Sequence, residues 1–308
     1  MPGPFLALLN PAAGRGRTRQ AWHEIASRLE AAAADYELVH TSAPGEIEQV
    51  VRERAGEGWQ AIVLVGGDGT VHEAANGTVQ ADLATPPPLA LVPFGTGNDF
   101  AKQLGLPAGR IGPAIDTLLE GRRIDADVGT VDGRVFVNGF GFGIDGQVAA
   151  AVTRTRGLPG PLVYPAAVVR ALAAYTTPEA EVQVDGELLH HGSVTLVAVA
   201  NGGCQGGSFW FTPAAAIDDG RLDVLVAEGR SRAALLPLIA ALVRRKHLGR
   251  PGVHHRTGTA IRIDSVAPLP VHLDGETLAG AHRELTVRIN SGALPVLRAA
   301  DYRPAHAR

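Results

Sequence analysis

Ala61-Ile-Val-Leu-Val65 runs straight into Gly66-Gly-Asp-Gly-Thr70. Five small or branched apolar residues predict a strand buried on both faces, and the glycines let the backbone turn sharply at its carboxyl end. In open α/β sheets that end is where ligands bind. Adjacent glycines leave backbone N–H groups open to an anion, and Thr70 adds a hydroxyl. Val71 to Val79 predicts a helix whose positive N-terminus faces the same point. The pattern is that of a phosphate site. Asp68 stands in its middle, where a carboxylate repels bare phosphate unless a metal ion or a hydrogen-bond network intervenes. A nucleotide carrying magnesium meets that condition.

A glycine-rich turn on its own is a weak signal, because many strand–helix junctions carry glycine for steric reasons. The next strand strengthens it. Leu89-Ala-Leu-Val-Pro93 ends in Phe94-Gly-Thr-Gly-Asn-Asp-Phe100, a turn that again holds a hydroxyl and an acid. Two loops of like design can face one ligand. Upstream, strand Phe5–Leu9 leads to Asn10-Pro-Ala-Ala-Gly-Arg-Gly16, a turn of low side-chain bulk with Arg15 and Arg17 beside it. By itself that turn reads as an ordinary polar loop. The following helix sets Trp22, Ile25, Leu29 and Ala32 on one face, which makes Trp22 core. Strand Tyr36–His40 and a helix with Ile47, Val50 and Val51 inward extend an alternation that lasts to Gly121. Such alternation predicts a parallel sheet with helices on both faces.

Near Arg123 the pattern changes. Asp132-Gly133 joins Asp127–Val131 to Arg134–Asn138 in a hairpin, a device parallel sheets do not use, and Asp185-Gly186 joins Glu181–Val184 to Leu188–His190. Val194–Ala200, Leu222–Ala227, Ala260–Asp264, Val271–Leu273 and Leu285–Ile289 continue the series, with helices expected at Pro165–Tyr175 and Ala233–Arg245. The expected fold is an α/β N-terminal domain with a mostly parallel, Rossmann-like sheet over residues 1–126, followed by a mainly antiparallel β-sandwich domain over residues 127–308.

A chain of 308 residues has room for two cores, and 45% hydrophobic with 19% charged residues is a globular composition. A formal charge of -3 argues against nucleic acid as the main partner. The single cysteine, Cys204, cannot form an internal disulfide, which points to a reducing cytosol. Met1 to Leu9 lacks a basic leader, so no signal peptide is expected. The most apolar run, Ala233 to Val243, contains Pro237 and is about half as long as a membrane-spanning helix.

Asn10-Pro-Ala-Ala-Gly14, Gly66-Gly-Asp-Gly-Thr70, Pro93 to Phe100, Asn138 to Asp145, Asn201-Gly-Gly203, Asp218-Asp-Gly-Arg-Leu-Asp223 and Leu273-Asp-Gly-Glu276 follow one another across nearly the whole chain. In order and spacing they resemble the diacylglycerol kinase catalytic-domain superfamily, which includes bacterial lipid kinases and sphingosine kinases. The resemblance implies the NAD kinase/diacylglycerol kinase type of fold, with ATP and Mg2+ as cofactors. It places Asn10, Pro11, Ala12, Ala13, Gly14, Thr41, Gly66, Gly67, Asp68, Gly69, Thr70, Val71, His72 and Thr96 around the ATP, with Asn98 and Asp99 in the same loop as Thr96. His72 departs from the asparagine common in relatives, and a neutral imidazole replaces one amide hydrogen bond but not both.

The resemblance also implies a magnesium site at Ala216, Asp219 and Arg221, made of one carboxylate and two carbonyls, the oxygen ligation a hard cation prefers. Asp68 and Asp99 are expected to join that ion through water. As a bare string Asp218-Asp-Gly220 is also an ordinary turn before a strand. Catalysis is expected from Asp274-Gly-Glu276, with Glu276 as the base and Asp274 beside it, whereas Asp185-Gly-Glu187 is placed in a peripheral hairpin. Arg244-Arg-Lys-His-Leu-Gly-Arg250, with His254, His255 and Arg256, either completes a helix dipole or forms a cationic patch for anionic head groups. The other histidines, including His190 and His191, show no metal spacing.

The expected activity is ATP-dependent phosphorylation of diacylglycerol to phosphatidic acid, on a lipid substrate met at the membrane surface. Sphingoid base, ceramide and phosphatidylglycerol stand as alternative acceptors. NAD kinase is the nearest rival, and a non-catalytic nucleotide or lipid sensor is the rival from another class. The expected location is cytoplasmic with peripheral contact at the inner membrane face. Assembly as a homodimer stays open.

Overall fold

The structure is a computed structural model that describes residues 3–143, 170, 175–207, 209–280 and 282–302. The helix expected at 165–175 falls almost wholly outside these, as do residues 144 and 145 of the Asn138 to Asp145 stretch.

The first layer follows the alternation: β1 (Phe5–Leu9), α1 (Arg17–Ala31), β2 (Tyr36–His40), α2 (Glu46–Arg54), β3 (Ala61–Gly66), α3 (Asp68–Gln80), β4 (Leu89–Pro93), α4 (Asp99–Gln103) and α5 (Ile111–Glu120). The strands run parallel in the order β2-β1-β3-β4. Residues of β1, β3 and β4 are buried throughout because both sheet faces are covered. Leu6, Leu8, Ile62 and Leu64 point into one core with Ile47, Val71 and Ala74 from α2 and α3. Phe5, Ala7, Leu9, Val63 and Val65 point the other way, onto Ile25 and Leu29 of α1 and Ile115 of α5. Trp22 packs against this second core, edge-on to Tyr36 at 5.5 Å.

The rest is antiparallel: β5 (Arg122–Val131), β6 (Arg134–Phe136), β7 (Gly139–Gly143), β8 (Glu179–Val184), β9 (Glu187–Ala200), β10 (Leu222–Glu228), then helix α6 (Arg232–Val243), β11 (Val253–Gly258), β12 (Ala260–Leu269), β13 (Val271–Leu273), β14 (Glu276–Thr277) and β15 (His282–Arg298). Phe136, Phe140, Phe142, Val182, Val197, Val224, Ile261 and Val287 fill the sandwich interior. On the outer side of β9 and β10, Leu196, Ala198, Leu225 and Ala227 meet Leu238 and Leu242 of α6.

β7, β11 and β14 are not among the expected strands, and others have different bounds. Leu188–His190 and Val194–Ala200 are one strand, β9, because Gly192 takes φ +133 and bends the chain without ending it. β9 thereby pairs with β8 in one sheet and with β7 and β10 in the other. The last strand runs well past Leu285–Ile289. After an irregularity between Asn290 and Leu294, Val296 pairs parallel with Leu89 of β4, and Leu294 and Val296 enter the first core. The chain therefore returns to the α/β layer at its end.

Candidate active site

Three loops converge at the carboxyl ends of β1, β3 and β4. A Cβ on Gly67 would stand 2.7 Å from Gly95 Cα, so the two glycine turns touch backbone to backbone. A Cβ on Gly14 would stand 2.6 Å from the Phe94 carbonyl oxygen, which brings the Asn10–Gly14 loop onto the same surface. Asn10 Nδ2 donates to Thr70 Oγ1 at 3.2 Å, and its Oδ1 accepts from the Ala12 N–H at 3.0 Å. Thr41 closes the end of β2, donating its N–H and its hydroxyl to the Leu9 carbonyl. Ala12 and Thr96 are exposed at the mouth, while Pro11, Ala13 and Gly69 are half-buried.

Gly67 precedes α3 in extended conformation with no side-chain cap. The first N–H groups of α3 are thus directed to the cleft rather than consumed by a capping residue. The helix starts at Asp68, a turn earlier than expected. Asn98 adopts φ +51, a left-handed conformation that asparagine tolerates. Its amide ties the second loop into a ring, accepting from the Gly95 N–H and donating to the Gly95 carbonyl, both at 2.8 Å.

The acids are arranged in sequence through the cleft. Asp68 Oδ1 accepts from the Asp99 N–H at 2.6 Å. Burial, then the charge of Asp99, pushes the Asp68 carboxyl up to about 6 against backbone donors that lower it. A cation near this carboxylate would offset that cost, which is the feature that fits a Mg2+-nucleotide. Asp99 itself is committed to the protein: Lys102 Nζ at 2.7 Å and Cys204 Sγ at 3.2 Å donate to Oδ1, and the Gly207 N–H donates to Oδ2 at 2.8 Å. Burial and Asp99 push the Cys204 thiol up to about 12, so it serves as a donor and not as a nucleophile.

Glu276 arrives from the second layer. Its Oε1 lies 3.6 Å from the point a Cβ on Gly69 would occupy, beside the first turn of α3, and its side chain is exposed to the cleft. Asp274, expected as a catalytic partner, requires correction. Its side chain is fully buried, and each carboxylate oxygen already accepts two hydrogen bonds. Oδ2 takes them from His72 Nδ1 and the Val137 N–H, both at 2.9 Å, and Oδ1 from the N–H groups of Asn138 at 2.7 Å and Gly139 at 3.0 Å. So satisfied a carboxylate holds the Glu276 hairpin in place and leaves no lone pair for a substrate proton. The His72 ring that replaces the usual amide thus has a partner: burial pulls its pKa down, but Asp274 outweighs burial and raises it.

Asp185-Gly-Glu187 has the same local turn, with Asp185 at φ +51 against +53 for Asp274. Asp185 caps the N–H groups of Thr259 and Ala260, and Glu187 pairs with Arg256 at 3.1 Å, away from the glycine loops. Tertiary position, not the local string, separates the two.

The 216–221 loop, where the resemblance implies a magnesium site, precedes β10. Ala216 is buried, and the Asp219 carboxylate is exposed and accepts from the Arg221 N–H at 3.0 Å. Its anchor is a residue missed by sequence reasoning, Asp127, only 3% exposed. Asp127 accepts from the Gly220 N–H at 2.7 Å and the Gly292 N–H at 2.8 Å, and donates its own N–H to the Ile217 carbonyl. The available signal was an acid inside an apolar strand, Asp127-Val-Gly-Thr-Val131.

A parallel nucleotide sheet whose glycine loops face a glutamate carried by an antiparallel sandwich defines a two-domain kinase of the NAD kinase and diacylglycerol kinase type. Residues 4–131 match the diacylglycerol kinase catalytic domain, and residues 139–298 match the YegS C-terminal NAD kinase beta sandwich-like domain. The chain belongs to the diacylglycerol kinase catalytic-domain family and is, as such, a lipid kinase. It is 27% identical to a diacylglycerol kinase of Bacillus subtilis over 270 residues, covering 87% of this chain and 88% of that protein. A crystal structure of a diacylglycerol kinase from Bacillus anthracis superposes with a TM-score of 0.72 at 26% identity, covering 96% of each chain. An NAD kinase from Archaeoglobus fulgidus in complex with ATP shares the fold, with a TM-score of 0.51 at 15% identity over 98% of this chain and 95% of that one.

Proposed function

We propose that the protein transfers the γ-phosphoryl group of ATP to the hydroxyl of diacylglycerol, giving phosphatidic acid. The observation that carries this reading is the position of Glu276 beside Gly69, where an acceptor hydroxyl and the phosphate cradle would meet. The glycine loops and the N-terminus of α3 bind and orient the phosphates through backbone N–H groups. Glu276 accepts the hydroxyl proton as the oxygen attacks in line, and Asp274 positions it. The Asp219 carboxylate with the Ala216 and Arg221 carbonyls would hold Mg2+, whose charge favours the anionic phosphates when bound.

The acceptor lipid lies in a bilayer, and α6 offers a surface to meet it. Ala233, Pro237, Ala240 and Val243 make its outer face apolar, with Val243 59% exposed, although its inner face is already buried. Arg244, Arg245, Lys246 and Arg250 are exposed just beyond. The rest of the cationic run is used internally: His254 pairs with Glu228, His255 with Asp223, and buried His247 contacts the Phe211 carbonyl. Among the described residues no helix is long and apolar enough to cross a membrane. An apolar face rimmed by cations suits reversible contact with an anionic surface.

Incubating the protein with labelled ATP and a panel of diacylglycerol, sphingoid base, ceramide, phosphatidylglycerol and NAD tests the reading. Label is expected in phosphatidic acid, and preferential label in NADP would overturn it. Glu276→Gln should lower turnover roughly 10²–10⁴-fold with ATP affinity unchanged, whereas Glu187→Gln should change neither. Equal losses in both variants would remove Glu276 from the role of base.

A further inference from the structure

Away from the cleft, one cluster of side chains has the composition of a transition-metal site. His190 of β9, Glu228 at the end of β10 and His254 of β11 each offer one ligand atom, and these atoms lie within 4.8 Å of one another. β10 is the middle strand, paired antiparallel with both neighbours. His254 Nε2 is 2.8 Å from Glu228 Oε1, and the two imidazole rings lie 5.5 Å apart at 37°. No sequence spacing announces this, because the residues meet only through strand pairing.

Local irregularities aim the side chains. Val226 pairs with His254, and Glu228, two residues on, keeps to the same face. The β10–β9 register shifts between Ala227 and Glu228, and the β8–β9 register shifts opposite Leu188 to His190. Gly192, at φ +133, then carries β9 from one sheet to the other. Such bulges re-aim side chains and recur beside functional sites. The Glu228 backbone is fixed as well, donating to the Gly252 carbonyl at 2.9 Å and accepting from Thr195 Oγ1 at 2.8 Å.

A Glu228–His254 ion pair alone leaves the second imidazole unexplained. Among the described residues, His190 Nε2 makes one hydrogen bond, a long one of 3.3 Å to the Ser193 carbonyl oxygen. Two imidazoles beside one carboxylate repel each other when protonated, whereas a single dication uses a lone pair from each. Imidazole nitrogen favours zinc-class ions over the hard Mg2+ expected at the all-oxygen 216–221 loop.

We propose that His190, Glu228 and His254 bind one zinc-class dication that staples β9, β10 and β11. Three protein ligands leave the fourth tetrahedral position to water, which the half-buried setting permits. Bond lengths near 2.0–2.2 Å set tetrahedral ligand atoms about 3.3–3.6 Å apart, so the Glu228–His254 pair would open from 2.8 Å as the ion enters. The site lies ten residues along β9 from Ala200, up to roughly 30 Å of strand from the Glu276 hairpin. Its role is structural.

The test uses untagged full-length protein freed of metal with chelator and titrated with zinc by calorimetry. Cobalt absorption reports the coordination. One equivalent should bind, with Tm rising about 4 °C at zinc a hundredfold above Kd. His190→Ala keeps the Glu228–His254 pair and should fold normally, yet lose affinity at least tenfold, as should Glu228→Gln. His191→Ala, next in sequence but outside the cluster, should bind as the native protein does. No binding to the native protein at millimolar zinc, or native affinity retained in His190→Ala or Glu228→Gln, would overturn the proposal.

Discussion

Asp274→Asn removes one charge and turns one acceptor into a donor, and four hydrogen bonds set its cost. Oδ1 and Oδ2 each accept two, from Asn138 and Gly139 on one side and from His72 and Val137 on the other. An asparagine oxygen satisfies one pair, while its N–H₂ faces the other. Two buried donors then lose their acceptor at about 1–3 kcal/mol each, so the variant should be less stable by roughly 2–6 kcal/mol. For a chain of this length the fall in Tm is on the order of 10 °C. His72 adds a pH dependence. Burial lowers its pKa, but Asp274 outweighs burial and the net shift is upward. A histidine with a raised folded pKa contributes stability that is complete below its unfolded value of 6.5 and lost as pH rises through the folded value. The gap between native and variant should therefore be wider at pH 5.5 than at pH 8.5, with the backbone part persisting at both. Thermal melts at the two pH values measure this, and turnover at saturating ATP should fall because Glu276 hangs on the same hairpin. Coincident melts, or a gap that grows with pH, would refute the reasoning.

Gly95→Ala places a Cβ 2.6 Å from Gly67 Cα and 2.8 Å from Asn98 Oδ1, where backbone cannot yield, and so parts the two phosphate loops. ATP affinity should drop at least about tenfold, or ~1.4 kcal/mol, by calorimetry on folded protein; unchanged affinity would show that the loops do not share a ligand. Asp68→Asn should stabilise the metal-free protein, because a carboxyl raised to about 6 contributes stability that is present below its unfolded value of 3.8 and lost as pH rises through 6. The gain should reach roughly 3 kcal/mol above that range and vanish below pH 4 while turnover collapses, and equal melts at pH 7.5 would count against it. Reversing Arg244 and Lys246 to Glu should reduce pelleting with anionic vesicles, each cation being worth ~1 kcal/mol in a salt-dependent way. Equal pelleting with neutral and anionic vesicles would sink the membrane reading.

Local requirements were legible in the sequence. Leu89–Pro93 is bounded in the structure as its apolar run predicts, and the glycine loops are readable because excluding a Cβ is a property of the chain at that point. What pairing decides was hidden. Leu294 to Leu297 lies beyond the expected strand Leu285–Ile289, yet it belongs to β15 because β4 and β5 supply partners. Asp274 looked catalytic because its donors, at 72 and 137 to 139, lie far away in sequence. His190 showed no metal spacing for the same reason, since Glu228 and His254 reach it only through strand pairing.

Taken together, the contacts between the two halves argue that the cleft is preformed. The Asn76 amide donates to the Val135 carbonyl and accepts its N–H, and Glu48 holds Arg134 by two bonds at 2.6 and 2.7 Å. His72 grips Asp274, while Asp99 and Lys102 grip Gly207. β15 pairs with β12 in the sandwich at one end and with β4 at the other, so one strand, irregular between Asn290 and Leu294, ties the halves together. A fixed cleft supplies orientation without domain closure, which places the burden of approach on the substrates. In the proposed reaction ATP would enter over the strand ends, and the lipid hydroxyl would have to travel to the exposed tip of Glu276. Selection among lipids then rests on which hydroxyl can reach that carboxylate in line with the phosphate, since apolar chains of similar length differ little in binding energy.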